Sequence, residues 1–445
     1  MHLNTSYRQI FSISAPIMLG TAAQNVIALS DSIFLYHRSQ LDFAAIGFVS
    51  VFYLIIAAIG YGYSKGGQIM IARRAGEEAY EQVGQTFHAM LYFELLMAIG
   101  LFLFMQFGCT YFFALFVESK EILDKSIDYL NYRSYGVFFS YVGLAFISLY
   151  TGIARTKFIL VDTIILGFVN IILNYGLICG RLGLPEMGIA GAGLASTIAE
   201  IIAFFIFLIY IFYDNAIRRY RLFSFKKINW QLIKDQQKLA APIVAQSIVG
   251  LGSWFVFFGI VENLGERPLA ITNLVRMVFL FLQIPSWGFA STINTMVSHF
   301  IGMEKRQAVI PIIWKTAKFS WVITMLLAIP MVLFPTQILY PILGSEDMSL
   351  IQEAQPIFYV LIGILTLNSI GVVYFNGLAG VGATYFGLQI QTWCALGYLA
   401  YVYTVINFFE GGLLLAWTSE IVYWAIMMVL MVWYLRSKVW YKLKL

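Results

Sequence analysis

The sequence predicts an all-α membrane protein with twelve transmembrane helices in two six-helix bundles. Of its 445 residues, 60% are hydrophobic and only 11% are charged, whereas about 25% of residues are charged in soluble domains. Apolar stretches of about 20 residues recur along the chain, and each can cross a bilayer as a helix. The chain also repeats itself, because Ala15-Pro16-Ile17 returns as Ala241-Pro242-Ile243 at an offset of 226 residues. These three observations indicate two homologous helical halves.

The twelve spans follow one another with short connections, as a sliding hydropathy window places them. Several contain proline, which membrane helices tolerate when neighbouring groups satisfy the freed backbone atoms. The sixth span begins with the small-residue run Gly188–Gly193, which predicts close helix packing. The spans are centred at about residues 23, 58, 100, 138, 168, 200, 250, 284, 325, 365, 395 and 424.

The internal repeat extends well beyond the first helix of each half. The same offset pairs Ala44 with Ala270 and Gly76 with Gly302, and it slips by two residues later in the chain. Internal repeats of this kind are typical of transporters, because a site between two halves can face either side of the membrane. The predicted organisation is a first bundle at residues 1–217, a basic cytoplasmic linker at 218–236 and a second bundle at 237–445.

The distribution of basic residues predicts the orientation. With both termini in the cytoplasm, 20 of the 28 Lys and Arg residues lie in cytoplasmic segments. Only six lie on the opposite side, and this bias is the positive-inside rule. The net charge of +5 therefore reports topology and does not indicate nucleic-acid binding. We expect a multi-pass protein of the inner membrane. The six opposite-side residues are Arg38, Lys120, Lys125, Arg133, Arg181 and Arg267.

Polar residues within the spans are the candidates for function, because burying them without partners is costly. Asp31 lies near the far end of the first span. Asn170 and Asn174 of the fifth span are four residues apart and share one helix face, and Thr197 of the sixth span lies at matching depth. One carboxylate, two amides and a hydroxyl suit a proton or a hard cation such as Na⁺. Glu200 follows Thr197 by one turn and is expected to neighbour Asp31, which would favour proton coupling.

Three stretches resemble the multidrug and toxic compound extrusion (MATE) transporters, within the multidrug/oligosaccharidyl-lipid/polysaccharide exporter superfamily. They are SDSIF around Asp31 with the AAIG that follows, GGQIMIARRAG at Gly66–Gly76, and the segment Asn170–Thr197. The resemblance implies a V-shaped pair of six-helix bundles with a central cleft, and antiport in which inward Na⁺ or H⁺ flow drives export. The family's amino-terminal cation site would fall on Asp31, Asn170, Asn174 and Thr197.

The chain also departs from the family pattern. Some sodium-coupled members carry a second set of carboxylates in spans seven and ten. No acid occurs here between Pro242 and Val261, and the position in span ten is Asn368. We therefore expect no carboxy-terminal cation site of that type, so that coupling runs through the first half.

Other intramembrane residues have two interpretations each. Lys65 lies at a depth similar to that of Glu94, and the two predict an ion pair with either a structural or a coupling role. Arg276 has Glu420 or Glu262 as a candidate partner; if it faces the cleft instead, it would favour anionic or zwitterionic cargo. Aromatic faces in the second half could bind planar drugs. The candidate cleft residues are Lys65, Arg276, Trp254, Trp287, Asn368 and Tyr374.

The sequence thus predicts a cation-coupled exporter of amphipathic small molecules that works by alternating access. A flippase or exporter of a lipid-linked saccharide or an anionic metabolite is the alternative, with Lys65 and Arg276 in its favour. An enzyme is not expected, because the four histidines are scattered and no catalytic acidic cluster occurs. We expect no cofactor, and H⁺ or Na⁺ as the coupling ion. The expected partners are a small-molecule substrate and membrane lipids, without nucleic acid, for a monomeric protein.

Overall fold

The computed structural model describes residues 3–224, 228–343, 348–409 and 411–443. The side chains of residues 25–29, 37 and 340–343, and the linker lysines Lys226 and Lys227, lie outside that description. The described chain is a succession of helices joined by short connections. They are α1 Tyr7–Arg38, α2 Gln40–Gly76, α3 Tyr80–Leu103, α4 Cys109–Phe113, α5 Lys120–Gly152, α6 Lys157–Cys179, α7 Ile189–Tyr213, α8 Trp230–Glu262, α9 Glu266–Leu282, α10 Ile284–Gly302, α11 Val309–Leu333, α12 Pro335–Leu343, α13 Met348–Gly380, α14 Thr384–Asn407 and α15 Leu413–Arg436.

The helix lengths agree with twelve crossings of a membrane. In the described chain, nine helical segments are long and apolar enough to span, and α9 with α10 forms a tenth that is bent by 44°. One of the nine combines α3 and α4 through the π-helical turn Phe104–Gly108. The remaining long helices, α1 with 32 residues and α14 with 24 residues, also have spanning length. The predicted all-α membrane fold is confirmed.

The chain forms two compact units. One consists of Leu19–Ala240, and the other of Met1–Met18 together with Ala241–Leu445. Both α1 and α8 are therefore divided, each within one turn of its internal proline, Pro16 or Pro242. The division of the sequence at residues 217 and 237 remains a prediction about the repeat.

The start of α1 packs within the unit that contains Ala241–Leu445. The rings of Tyr7 and Phe11 lie 5.3 and 6.1 Å from the ring of Phe319 on α11. The ammonium of Lys315, also on α11, lies 4.4 Å from the centre of the Tyr7 ring. Aromatic contacts and a cation–π contact thus attach this segment.

The start of α8 packs within the unit Leu19–Ala240. The amide of buried Gln236 donates to the Thr86 carbonyl at 2.7 Å and accepts from the Tyr63 hydroxyl at 3.1 Å. Ala240 lies against Gly66 of α2, where a Cβ would come within 2.8 Å of the Ala240 Cβ. Buried polar groups are stable only when hydrogen-bonded, and Gln236 meets this requirement through two helices.

Glycines bring α7 close to its neighbours, as the small-residue run predicts. A Cβ at Gly191 would lie 2.6 Å from the Leu177 carbonyl oxygen of α6, and one at Gly193 would lie 2.5 Å from the Tyr129 carbonyl oxygen of α5. A membrane helix gains association energy mainly from such packing and from interhelical hydrogen bonds. The close approach places the polar side chains of α5, α6 and α7 beside one another.

Candidate functional site

Asp31 joins a chain of side-chain hydrogen bonds across three helices. The Asn174 Nδ2 of α6 donates to the Asp31 carboxylate of α1 and, at 3.0 Å, to Asn170 Oδ1. The Asn170 Nδ2 in turn donates to the Ser196 hydroxyl of α7 at 3.1 Å. The spacing of Asn170 and Asn174 by four residues accounts for their mutual bond, because residues i and i+4 are adjacent on a helix surface. The structure therefore brings together three of the four residues expected at the cation site.

One oxygen of this hydrogen-bond chain has no partner among the described residues. Asn170 and Asn174 are 1% and 0% exposed, and in that part of the protein Asn174 Oδ1 is buried without a hydrogen-bond partner. A buried polar atom without a partner costs about 1–3 kcal/mol. The atom belongs to the same amide that donates to Asp31, so an oxygen ligand is available beside the carboxylate. Carboxylate and amide oxygens are the ligands that hard cations prefer.

Thr197 lies one helical turn before Glu200 on α7 and faces α5. Its hydroxyl is buried and donates to the Tyr132 carbonyl at 2.9 Å. A Cβ at Gly136 of α5 would come within 3.0 Å of the Thr197 hydroxyl, the Arg133 guanidinium and the Glu200 carboxylate. Those three groups therefore meet over Gly136, next to the chain that holds Asp31.

Glu200 forms an ion pair that the sequence does not predict. Its two carboxylate oxygens accept from Arg133 of α5 at 2.5 and 2.7 Å, and the Arg133 guanidinium lies 4.0 Å from the centre of the Tyr53 ring. A bidentate arginine–carboxylate pair of this kind is strong and geometrically specific. Glu200 thus has a guanidinium as its direct partner, and its proximity to Asp31 remains a prediction.

The assignment of Arg133 to the extracytoplasmic side remains a prediction. Arg133 is only 6% exposed and lies within the bundle. A guanidinium is stable there because the Glu200 carboxylate compensates its charge. The sequence could have indicated a buried basic residue near Glu200, because an acid within the membrane is usually paired with a base. Ser196 and Tyr53 were not predicted as site residues, because neither has a sequence spacing that would identify it.

The expected ion pair between Lys65 and Glu94 does not form among the described residues. Glu94 accepts a hydrogen bond from the neighbouring Ser64 hydroxyl instead, and its Oε2 atom has no hydrogen-bond partner. The Lys65 ammonium lies 5.4 Å from the centre of the Tyr61 ring. Similar depth in two helices does not bring two side chains together, because helix rotation decides which residues face each other.

The remaining candidates lie in the unit that contains Ala241–Leu445. Trp254 stacks on Phe279 with ring centres 5.7 Å apart, and exposed Arg276 lies 5.0 Å from the centre of the Phe258 ring. Glu420 is 5% exposed and interacts with Tyr398 and Trp424. Neither acid considered as a partner of Arg276 forms an ion pair with it in the described structure.

Three more candidates differ in exposure. Asn368 is buried, and its Oδ1 atom has no hydrogen-bond partner within the described ranges of the chain. Tyr374 is buried too, whereas Trp287 is 37% exposed. A substrate-cleft role for these residues, and for Lys65, Trp254 and Arg276, remains a prediction.

A model of the MatE family matches the chain twice, at residues 16–176 and 242–404. The chain belongs to the MatE family. The two matches begin 226 residues apart, at Pro16 and Pro242, which confirms the internal repeat and its offset. MatE proteins are transporters and not enzymes.

Curated MatE relatives are distant in sequence. The chain is 22% identical over 422 residues to the probable multidrug resistance protein NorM of Thermotoga maritima, covering 93% of this chain and 89% of that protein. It is 23% identical over 302 residues to the NorM protein of Synechocystis, covering 67% and 64%. The match thus spans slightly less than two thirds of the Synechocystis relative.

Solved MatE structures share the fold. The chain superposes on an outward-facing multidrug resistance MATE family transporter with a TM-score of 0.87 and 17% identity, covering 97% of this chain and 95% of that one. A superfamily transporter from Pyrococcus furiosus, described as having a binding pocket of reverse polarity, gives 0.86 at 18% identity with the same coverage. At such identities the likeness shows the fold alone.

Proposed function

We propose that this MatE protein is a cation-coupled antiporter that exports amphipathic small molecules by alternating access. The observation that carries the proposal is the bond from the Asn174 amide to the Asp31 carboxylate, beside the unpartnered Asn174 Oδ1 atom. The names of the relatives support multidrug efflux as the direction of transport. Inward flow of H⁺ or Na⁺ through Asp31 would drive the export.

Occupancy of Asp31 would change how α1 is held against α6. With an ionised carboxylate, the bond from Asn174 is charge-assisted and contributes about 1.5–3 kcal/mol, against about 0.5–1.5 kcal/mol for a neutral pair. A proton on Asp31 weakens this bond, and a Na⁺ shared between the carboxylate and Asn174 Oδ1 replaces part of it. In either case α1 is less strongly tied to α6. This local change is the step by which the coupling cation would bias the transporter between its two states.

The protein would work in the inner membrane as a monomer, with both termini in the cytoplasm and lipids around it. The distribution of basic residues supports this orientation, with 20 Lys and Arg residues in the segments expected in the cytoplasm and six on the opposite side.

Transport in proteoliposomes tests the proposal. Purified protein is reconstituted, and movement of the fluorescent organic cation ethidium is followed while a pH gradient and a Na⁺ gradient are imposed separately. We expect ethidium movement with one gradient, and its loss in Asp31→Asn. Asp128→Asn is the matched control, because Asp128 is an exposed acid on α5, and it should transport normally.

Two results would contradict the proposal. Gradient-driven ethidium movement that persists in Asp31→Asn would remove Asp31 from the coupling mechanism. No movement of ethidium under either gradient would argue against an exporter of organic cations and favour an anionic or lipid cargo.

A further inference from the structure

Arg133 pairs with one carboxylate of the unit Leu19–Ala240 and lies beside the hydrogen-bond chain of a second. It forms the bidentate pair with Glu200 at 2.5 and 2.7 Å, and the Tyr53 ring lies 4.0 Å from the guanidinium carbon. Both members of the pair meet Thr197 over Gly136. Ser196, next to Thr197, ends the chain that runs through Asn170 and Asn174 to Asp31, and the charge of Arg133 also acts on Asp31.

Further groups around Arg133 come from its own helix and from a neighbouring one. Tyr53 comes from α2, Tyr129 from α5, and both interact electrostatically with Arg133. Tyrosine hydroxyls are neutral at pH 7, and the amides of α6 carry no charge. The charged members in the described structure are Asp31, Arg133 and Glu200, with a formal total of minus one.

We propose that Arg133 limits the site at Asp31 to one monovalent cation in each transport cycle. This inference rests on the coupled transport proposed above. Two ionised carboxylates and one guanidinium leave a single uncompensated negative charge, and an uncompensated charge within the membrane is costly. One proton or one Na⁺ completes the compensation, and a second would leave the cluster positive.

Arginine suits this function better than lysine would. A guanidinium stays protonated in proteins, so its charge does not vary with occupancy of the site. Arg133 is also closely packed. Its guanidinium, the Glu200 carboxylate and the Thr197 hydroxyl lie so near Gly136 that a Cβ there would clash with them. The charge that varies during the cycle is therefore that of the bound cation.

The formal charge of the cluster can be changed in steps of one. Glu200→Gln makes it zero, Arg133→Gln makes it minus two, and the double variant restores minus one. The measurement is the number of coupling cations exchanged per ethidium, obtained from the reversal potential in proteoliposomes. We expect one in the wild type and in the double variant, two in Arg133→Gln, and at least a tenfold weaker cation dependence in Glu200→Gln.

Matched controls separate charge from folding. Arg267 and Glu353 form an exposed pair at 2.9 Å in the other unit, and Arg267→Gln should behave as the wild type. Size-exclusion chromatography and thermal unfolding in detergent show which variants fold. Recovery of coupling in the double variant supports the charge count, whereas loss in all three folded variants makes the pair a structural one and overturns the inference.

A second measurement needs neither Arg133 nor Glu200 to be changed. The number of cations bound per protein is compared between the wild type and Asp31→Asn, and a difference of one is expected. A difference of two overturns the charge count.

The failure of this inference can be distinguished from the failure of the proposed function. If the wild type shows no gradient-driven exchange, the proposed function fails. If exchange depends on Asp31 but Glu200→Gln leaves the cation dependence unchanged, only this inference fails.

Discussion

Gly193 of α7 lies against the Tyr129 carbonyl oxygen of α5, so closely that a Cβ would be 2.5 Å from that oxygen. The same face of α7 carries Ser196, Thr197 and Glu200, which contact α6 and α5. The approach of the two backbones therefore sets the distances on which the polar cluster depends. A change at Gly193 should act on stability and on the cluster together.

We expect Gly193→Ala to lower the free energy of unfolding by about 1–3 kcal/mol, the usual cost of overpacking. The Tyr129 carbonyl is part of a helix backbone and cannot move aside without shifting α5. Thermal unfolding in detergent would show the loss. Gly143→Ala is the control, because Gly143 lies on α5 and a Cβ there would have no described atom within 4 Å. Equal stability of the two variants would contradict the packing argument.

Asn174→Ala should weaken the apparent affinity for the coupling cation by roughly tenfold, which corresponds to about 1.4 kcal/mol. The substitution removes both the donor to Asp31 and the unpartnered Oδ1 atom. The measurement is the dependence of ethidium transport on cation concentration. Asn407→Ala is the control, because Asn407 is exposed and donates to the Tyr403 carbonyl of its own helix. An unchanged affinity in Asn174→Ala would exclude Asn174 from the cation site.

Gln236→Leu should destabilise the unit Leu19–Ala240 by about 1–3 kcal/mol. The change leaves the buried Tyr63 hydroxyl without its acceptor and removes a donor to the Thr86 carbonyl. Gln231→Leu is the comparison, since Gln231 is exposed and donates to Asp235 on the same helix. If both variants unfold at the wild-type temperature, the start of α8 is not held by Gln236.

The orientation can be tested with single cysteines. In a variant without Cys109, Cys179 and Cys394, we expect Glu118→Cys to react with a membrane-impermeant maleimide on intact cells. Lys438→Cys should react only after the membrane is opened, because the positive-inside rule places the carboxy terminus in the cytoplasm. Both positions are exposed. The reverse labelling pattern would invert the proposed topology.

Part of the candidate site follows from the sequence. Asn170 and Asn174 are predictable as neighbours because helix periodicity places residues four apart on one face. Asp31 is a clear candidate because a carboxylate in an apolar span is energetically costly and is usually functional. The grouping of Asp31 with both asparagines depends on a resemblance as well as on depth, and the described hydrogen bonds show that the three meet.

The partners of Arg133, Glu200, Lys65 and Glu94 did not follow from the sequence. Arg133 and Glu200 are 67 residues apart, and Lys65 and Glu94 fail to pair although their depths match. Depth along a helix is a one-dimensional quantity that the sequence provides. Pairing also requires the rotation of each helix about its axis, and this rotation depends on packing against all its neighbours.

The sequence by itself determined that the protein is helical, membrane-spanning and built from a repeat, because these properties depend on local hydrophobic length and on similarity along the chain. The two family matches at Pro16 and Pro242 confirm that repeat. Only the tertiary structure decided that α1 and α8 are each divided between two compact units. It also decided that the buried Arg133 guanidinium pairs with the Glu200 carboxylate, since contacts between distant helices arise from packing and not from spacing in the chain.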